Sequence, residues 1–350
     1  MEKFKFLSRF MIVAILMAAV TITGCKKDDD DDDDQVNKTE LQAKITEAET
    51  LHDGAEEGTA QGQYQFGAKA ELQSSIDLAK AVYNNAEATQ TQVDNAVIAL
   101  DQAIDAFEAK KVVPIAPEAL VGHWTFDDGE GTTLTDYSGN GYHGTLMSGA
   151  DTWGGGLPVW STDRYGNDSK ALMFNEGAFV SIPNNPALSP ANITISLWVN
   201  AAEILENNRF MGLHSWNGYK FQLQSVNKSF FTIATTEGIY DRDTDPPLEV
   251  NEWYHLAVTF GNGNMTFYVD GTETMVWDNT PGTAVSVSGN ALVFGRDTDV
   301  YAPDDSNYEN DLIIPLAWGG YFHGLMDEVR IYNTVLTGAQ IQSIYDVEKP

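Results

Sequence analysis

Two hydrophobic periods divide the chain. Over 38–112, apolar residues return every three or four positions: Leu41, Ile45 and Ala48, then Leu72, Ile76, Ala79 and Tyr83, then Val93, Val97, Leu100, Ile104 and Phe107. Lys, Glu, Asp and Gln occupy the opposite faces, which predicts three amphipathic helices. The Gly- and Gln-rich stretch 54–67 breaks the first from the second, and Thr89 with Gln92 can form a capping box at the third. Such helices can share one core as a bundle. Residues 113–118 carry Pro114 and Pro117 and read as a semi-rigid linker, because each proline favours extended backbone before it.

Beyond the linker the period becomes two. Ile193, Ile195, Leu197 and Val199 alternate with Thr194, Ser196 and Trp198, and Met265, Phe267 and Val269 repeat the pattern. They lead into Asp270-Gly271, a hairpin signal because both central positions of that turn need positive φ. A strand over 253–260 is expected to pair with 264–269 across Gly261-Asn262-Gly263. Further strands are predicted at 121–126, 171–174, 178–182, 219–224, 230–235, 291–295 and 322–332, and a short capped helix at 337–345, with Thr337 and Gln340 as its box. With no long helix among them, the strands predict a mainly β fold, an antiparallel sandwich or jelly roll.

Several motifs in this region occur in a recognisable order. They are Trp124-Thr125-Phe126-Asp127, Asp136-Tyr137-Ser138-Gly139-Asn140-Gly141-Tyr142-His143-Gly144, Ile195-Ser196-Leu197-Trp198-Val199 and Trp253-Tyr254-His255-Leu256-Ala257-Val258. Phe267-Tyr268-Val269-Asp270-Gly271 and Gly324-Leu325-Met326-Asp327-Glu328-Val329-Arg330-Ile331-Tyr332-Asn333 complete them. Residues 119–348 thus resemble the LamG-like jelly rolls of the concanavalin A-like lectin/glucanase fold, which hosts lectins, glucanases, carbohydrate modules and adhesion domains. The helical part, through Ala70-Glu71-Leu72, Ile76, Ala79, Ala88-Thr89, Val93, Ala96, Leu100 and Ala103-Ile104, resembles the FIVAR-type module of extracellular bacterial proteins. Members of that family serve as spacers or as sugar or protein binders.

Composition adds an address. Lys3, Lys5 and Arg9 precede an apolar run over 10–22, which is short of the roughly 20 residues a bilayer-spanning helix needs. The arrangement reads as a signal peptide over 1–24, with a short membrane anchor as the alternative. Gly24-Cys25 is similar to the end of a bacterial lipobox, which implies that Cys25, the one cysteine, carries lipid and anchors the protein to a membrane. A single cysteine also excludes a disulfide framework and a Cys-based zinc cluster. Lys26-Lys27 and seven consecutive aspartates, 28–34, complete an acidic tether over 25–37. The same text resembles the surface-export tag of some Gram-negative lipoproteins, which implies an outer-membrane, cell-surface location. The formal net charge of −31 offers no basic footprint for nucleic acid. Of it, residues 114–350 hold 30 acids against 9 bases.

The candidate chemistry is sparse. Glycoside hydrolysis needs two carboxylates flanking the scissile bond. The nearest pair, Asp327-Glu328, is expected to point to opposite faces of a strand, and the six histidines show no ligand spacing. Period-two phasing places Asp327 with Leu325, Val329 and Ile331 on the apolar face, where a carboxylate must be paired, hydrogen-bonded or metal-bound. The family resemblance implies a structural Ca2+ held by Asp136, Asn140 and Asp327 with loop carbonyls. The alternative is a turn formed by Asp136 and Asn140, with Asp327 accepting backbone N–H bonds. Asp241-Arg242-Asp243-Thr244-Asp245 with Glu252 has an EF-hand-like count, but Pro246 stands where that loop needs Gly, so a solvated loop is expected.

Sugar binding uses aromatic faces with polar groups at their rim. Trp124, Trp198 and Trp253 are expected in the core. Trp216, Asn217 and Tyr219, in a turn between strands, form the candidate ligand platform with Tyr240 and Asp241; Trp277, Tyr301, Tyr308 and Trp318 are further loop candidates. The expected function is non-catalytic binding of an extracellular glycan. A protein-binding adhesin or structural surface domain is the competing reading and a glycoside hydrolase the third.

Overall fold

The computed structural model describes residues 36–58, 62–148, 156–175, 177–296 and 320–350. Cys25, the aspartate run, Tyr301, Tyr308 and Trp318 lie outside the described residues.

Three helices come first: α1 (Thr39–Gly54), α2 (Ala68–Asn84) and α3 (Gln90–Glu108). The predicted stripes meet in one cluster containing Leu41, Ile45, Leu72, Ile76, Val93, Leu100 and Phe107. Thr89 caps α3 as expected: its hydroxyl accepts from Gln92 N, and its own N–H donates to Gln92 Oε1 at 2.8 Å.

Among the described residues sixteen strands and one helix follow. The first eight strands are β1 (Leu120–Trp124), β2 (Thr133–Leu134), β3 (Gly144–Met147), β4 (Val159–Ser161), β5 (Ala171–Phe174), β6 (Phe179–Ile182), β7 (Ile193–Ala201) and β8 (Asn207–Leu213). The rest are β9 (Tyr219–Gln224), β10 (Lys228–Thr235), β11 (Gly238–Asp243), β12 (Tyr254–Gly261), β13 (Asn264–Val269), β14 (Thr272–Trp277), β15 (Leu292–Phe294) and β16 (Gly324–Tyr332). Helix α4 (Gly338–Glu348) ends the fold, with the expected Thr337–Gln340 box. It also holds the linker, because Val113 N donates to Ser343 Oγ at 3.1 Å and Gln340 Nε2 donates to Pro114 O at 2.7 Å.

The strands form two antiparallel sheets. The first runs β14-β13-β12-β7-β16-β5-β4 with β1 beside β16; the second runs β11-β10-β9-β8-β15-β6-β3-β2. Inward side chains of both sheets, among them Trp124, Phe174, Leu197, Phe210, Phe221, Phe231, Phe267 and Phe294, make one buried apolar core. This is the expected mainly β sandwich. The two hairpin turns have the required backbone: φ is 53° and 81° at Asn262 and Gly263, and 49° and 75° at Asp270 and Gly271.

Three local expectations are corrected. The acidic run beginning at Asp241 is not a loop throughout, since β11 extends to Asp243 and pairs with β10. Tyr240 therefore sits in a strand, packed against the core. The third correction concerns β16. Its register with β7 shifts between Asp327 and Arg330, and Glu328 has φ 52°, so a bulge interrupts the alternation. Met326, Val329 and Ile331 face the core, whereas Asp327 pairs opposite Trp198 on the outer face. Period-two phasing fails here by one residue, and Asp327 and Glu328 both engage outer-face partners rather than pointing apart.

Candidate functional site

Those partners account for the carboxylates of β16. Asp327 is ion-paired with Arg164, and Glu328 Oε2 lies 2.7 Å from Arg330 and 2.8 Å from His123 Nε2. Glu348 at the end of α4 pairs with Arg330 through its carboxylate and accepts from Trp198 Nε1 at 2.9 Å, while its backbone oxygen accepts from Arg164 Nε at 2.7 Å. Burial pushes Asp327 upward, with Arg164 opposing. Burial also pushes at Glu328, but Arg330 and His123 outweigh it and hold that carboxyl at about 2. Each acid is thus committed to a cation under the C-terminal helix, an arrangement that fastens α4 to the first sheet and presents no free carboxylate pair.

The expected calcium donors are each engaged by groups of the protein itself. Asp136 Oδ1 accepts from the N–H of His123 and of Ser138 at 3.0 and 2.9 Å, and Oδ2 accepts from Tyr142 N and Ser138 Oγ at 2.8 and 2.9 Å. Burial raises this carboxyl, but the donated hydrogen bonds win and leave it below its ordinary value. Asn140 donates to the carbonyls of Leu120 and Val121 at 3.1 and 2.9 Å. The loop is a turn laced to β1, and Asp327 belongs to Arg164. Among the described residues no group of three or more His, Cys, Asp or Glu is arranged to hold a metal. The donor set therefore does not fit a calcium ion, and no step here runs through one.

The second sheet arranges different groups. On β9, Tyr219, Phe221 and Leu223 enter the core, so Lys220 and Gln222 take the outer face. Register completes two rows across four strands. Asp241, Thr232, Lys220 and Gly212 form one; Asp243, Phe230, Gln222 and Arg209 form the other. Lys220 and Arg209 are only 2% and 1% exposed. Burial pushes the Lys220 ammonium down to about 7 and the Arg209 guanidinium down to about 9, with the attraction of Asp241 opposing both shifts. Thr232 Oγ1 donates to Asp241 Oδ1 at 2.5 Å, and Asp241 is itself exposed.

Trp216 closes over Lys220 in this row. It sits in a 3-10 turn, Ser215–Asn217, entered through left-handed His214. A Cβ at Gly218 would lie 2.1 Å from Leu213 O, so the tight return into β9 requires glycine. The Lys220 Nζ stands 3.1 Å from the centre of the Trp216 ring, a cation–π contact, and Trp216 remains 37% exposed. Asn217 beside it is exposed.

Of the five expected ligand residues, the fold brings Trp216, Asn217 and Asp241 to the outer face or rim of one sheet. Tyr219 is different. It is 3% exposed, and its hydroxyl donates to Leu188 O at 2.8 Å, so it is a core residue rather than part of a platform. Tyr240 packs inward as well. Sequence reasoning missed Lys220, Arg209 and Thr232. Tyr-Lys-Phe-Gln-Leu-Gln in the predicted strand 219–224 carried the signal for the first, because alternation puts Lys220 and Gln222 on one side.

Residues 174–342 match the Concanavalin A-like lectin/glucanases superfamily. The chain is 40% identical over 74 residues to a gellan lyase of Bacillus sp, covering 21% of this chain and 3% of that protein. It is 37% identical over 105 residues to the surface-layer 125 kDa protein of Lysinibacillus sphaericus, covering 29% of this chain and 8% of that one. The chain thus spans a small fraction of the curated relatives it matches. Among solved structures it is similar to domain 4 of an extracellular GH43 arabinanase from Geobacillus stearothermophilus, determined with arabinotriose. Identity there is 22%, coverage is 65% of this chain and 98% of that chain, and the TM-score is 0.48.

Proposed function

We propose that this protein binds extracellular carbohydrate without catalysis, through the outer face of the second sheet of its concanavalin A-like lectin/glucanase-type domain. The observation that carries the reading is Trp216, a partly exposed indole held over Lys220, with the exposed Asn217 beside it and the exposed Asp241 at the end of the same row across the sheet. A pyranose presents C–H groups to such a ring and hydroxyls to the donors and acceptors beside it. In this reading Cys25 is lipidated, the aspartate tether and the FIVAR-like helices hold the domain away from an outer membrane, and the cell surface is its place of work.

Binding to immobilised glycans tests it. The protein should bind a subset of glycans, and Trp216→Ala should lower affinity for that subset by about tenfold or more, since truncating an aromatic anchor at the centre of a binding site costs about 2 kcal/mol or more. Unchanged binding by the variant would remove the site. Silence across the glycans, with capture of a defined surface protein, would favour the adhesin reading.

A further inference from the structure

A cleft of about 1030 Å3 opens between the helical part and the outer face of the first sheet. Its walls come from the turn ahead of α2, the linker, β1, β16, the loop around Arg164 and the end of α4. Sites that bury small ligands hold about 300–1,000 Å3 and favour junctions between domains. This junction is fastened. Val112 N donates to Gln63 O at 2.8 Å and Gln65 N to Lys110 O at 3.0 Å, which ties the chain after α3 back to the helical part. The very next residue, Val113, donates to Ser343 Oγ on α4 at 3.1 Å. The cleft is therefore formed before a ligand arrives, which lowers the ordering cost of binding.

Two aromatic rings, one from each part, line this cleft. Phe66 is 70% exposed, in a turn held by Ala68 N donating to Gln65 O at 3.1 Å. Tyr165 is 48% exposed, yet its ring is fixed. Its hydroxyl donates to Glu348 O and accepts from Arg164 Nη2 at 3.2 Å, and the Arg164 guanidinium lies 4.5 Å from the ring centre. Asp163 Oδ1 secures the turn below by accepting from Tyr165 N and Asn167 N, both at 2.8 Å. Arg164 covers one face of the ring, so the exposure belongs to the other. A single exposed apolar side chain is ordinary, but two on rigid supports at one cleft mark a binding surface. The charges around them cancel locally. Lys110 pairs with Glu71 at 2.6 Å, Lys349 with Asp346 at 2.7 Å, Arg330 with Glu328 and Glu348, and Arg164 with Asp327. In a chain of net charge −31 this surface is balanced, and it offers partners to hydroxyls without favouring an ion.

We infer that the cleft is a second carbohydrate site, which takes a neutral oligosaccharide with sugar rings against Phe66 and Tyr165. The inference rests on the carbohydrate reading of the domain and is independent of the Trp216 face. It makes the helical part a contributor to binding as well as a spacer.

The test is calorimetry on the full chain carrying Trp216→Ala, which leaves the cleft to bind alone. The probes are the hexasaccharides of cellulose, xylan and β-1,3-glucan, with oligogalacturonate as the charged control. At least one neutral probe should still bind, and more tightly than oligogalacturonate by about tenfold. Adding Phe66→Ala should lower that affinity by about tenfold, and Phe66→Tyr should retain it. Inserting Gly-Ser-Gly-Ser between Val112 and Val113, which uncouples the two walls, should weaken it likewise. Phe66 is exposed, so an unchanged melting temperature separates a lost contact from a lost fold. Wild-type binding that vanishes in Trp216→Ala would overturn the inference and leave the glycan reading standing. Undiminished affinity in Phe66→Ala or in the insertion variant, or equal affinity for oligogalacturonate, would overturn it too. Silence of the wild type on every neutral probe would also overturn it, whereas the glycan reading falls only on silence across the wider glycan set.

Discussion

Arg330→Ala is expected to cost about 3–5 kcal/mol of folding stability, seen as a lower urea midpoint. The guanidinium holds Glu328 and Glu348 at once, and Glu348 in turn receives Trp198 Nε1. Burial pushes Glu348 up even with Arg330 present, whereas Glu328 is held at about 2 only because Arg330 and His123 outweigh burial. Removing the cation leaves two carboxylates desolvated and facing each other. Both pKa values then rise above those of the unfolded chain, so the folded state takes up protons. The sign follows: the deficit of the variant shrinks as pH falls from 7 towards 5. A loss under about 1 kcal/mol, or one independent of pH, would show that the network is a solvated surface feature and does not fasten α4.

Trp124→Ala should have a comparable effect, about 3–5 kcal/mol. The indole is 0% exposed and meets Phe294 edge-on at 5.1 Å, so it joins the first sheet to the second through the centre of the core. Its N–H also donates to Tyr142 O at 2.9 Å, tying the Asp136 turn to β1. Alanine would leave a large cavity and an unpaired carbonyl together. Trp124→Phe refills most of the volume and forfeits the hydrogen bond, so its cost should be clearly smaller. Thermal unfolding of both variants checks the order; equal melting temperatures for wild type and Trp124→Ala would contradict it.

The sequence carried the features that repeat and those that signal locally. Ile193 to Val199 announced β7 by alternation, Asp270-Gly271 announced its hairpin by needing positive φ, and Thr89–Gln92 and Thr337–Gln340 announced the starts of α3 and α4. Trp124 was legible as core, whereas Trp198 is buried on the outer face under α4 and Trp253 is only partly buried ahead of β12. What stayed hidden depends on partners distant in sequence or on a break in period. The bulge at Glu328 moves Asp327 to the opposite face without any change in residue type that a period-two count can see. Arg164 finds Asp327 from 163 positions away. β8 was missed because its Arg-Phe-Met-Gly run does not alternate and its register shifts between Arg209 and Met211. Half of the candidate face, Arg209 and its row, was lost with that strand.

The site was legible to the same depth. The exposure of Trp216 and Asn217 was readable because a Trp-Asn-Gly turn between strands turns its side chains outward, and that of Asp241 because acids crowd there. Tyr219 was misjudged because it is the first residue of β9, where the alternation that turns Lys220 outward turns Tyr219 inward. One strand phase decides which residue faces outward and which supports the core.

The most direct test of the account is a crystal structure of the protein with a bound oligosaccharide taken from the glycans it captures. The account predicts a sugar ring against Trp216, with its polar groups within hydrogen-bonding reach of Asn217 or Asp241 on the outer face of the second sheet. A sugar seated instead at the Asp136–Asn140 turn, or on the first sheet, with Trp216 untouched, would contradict it.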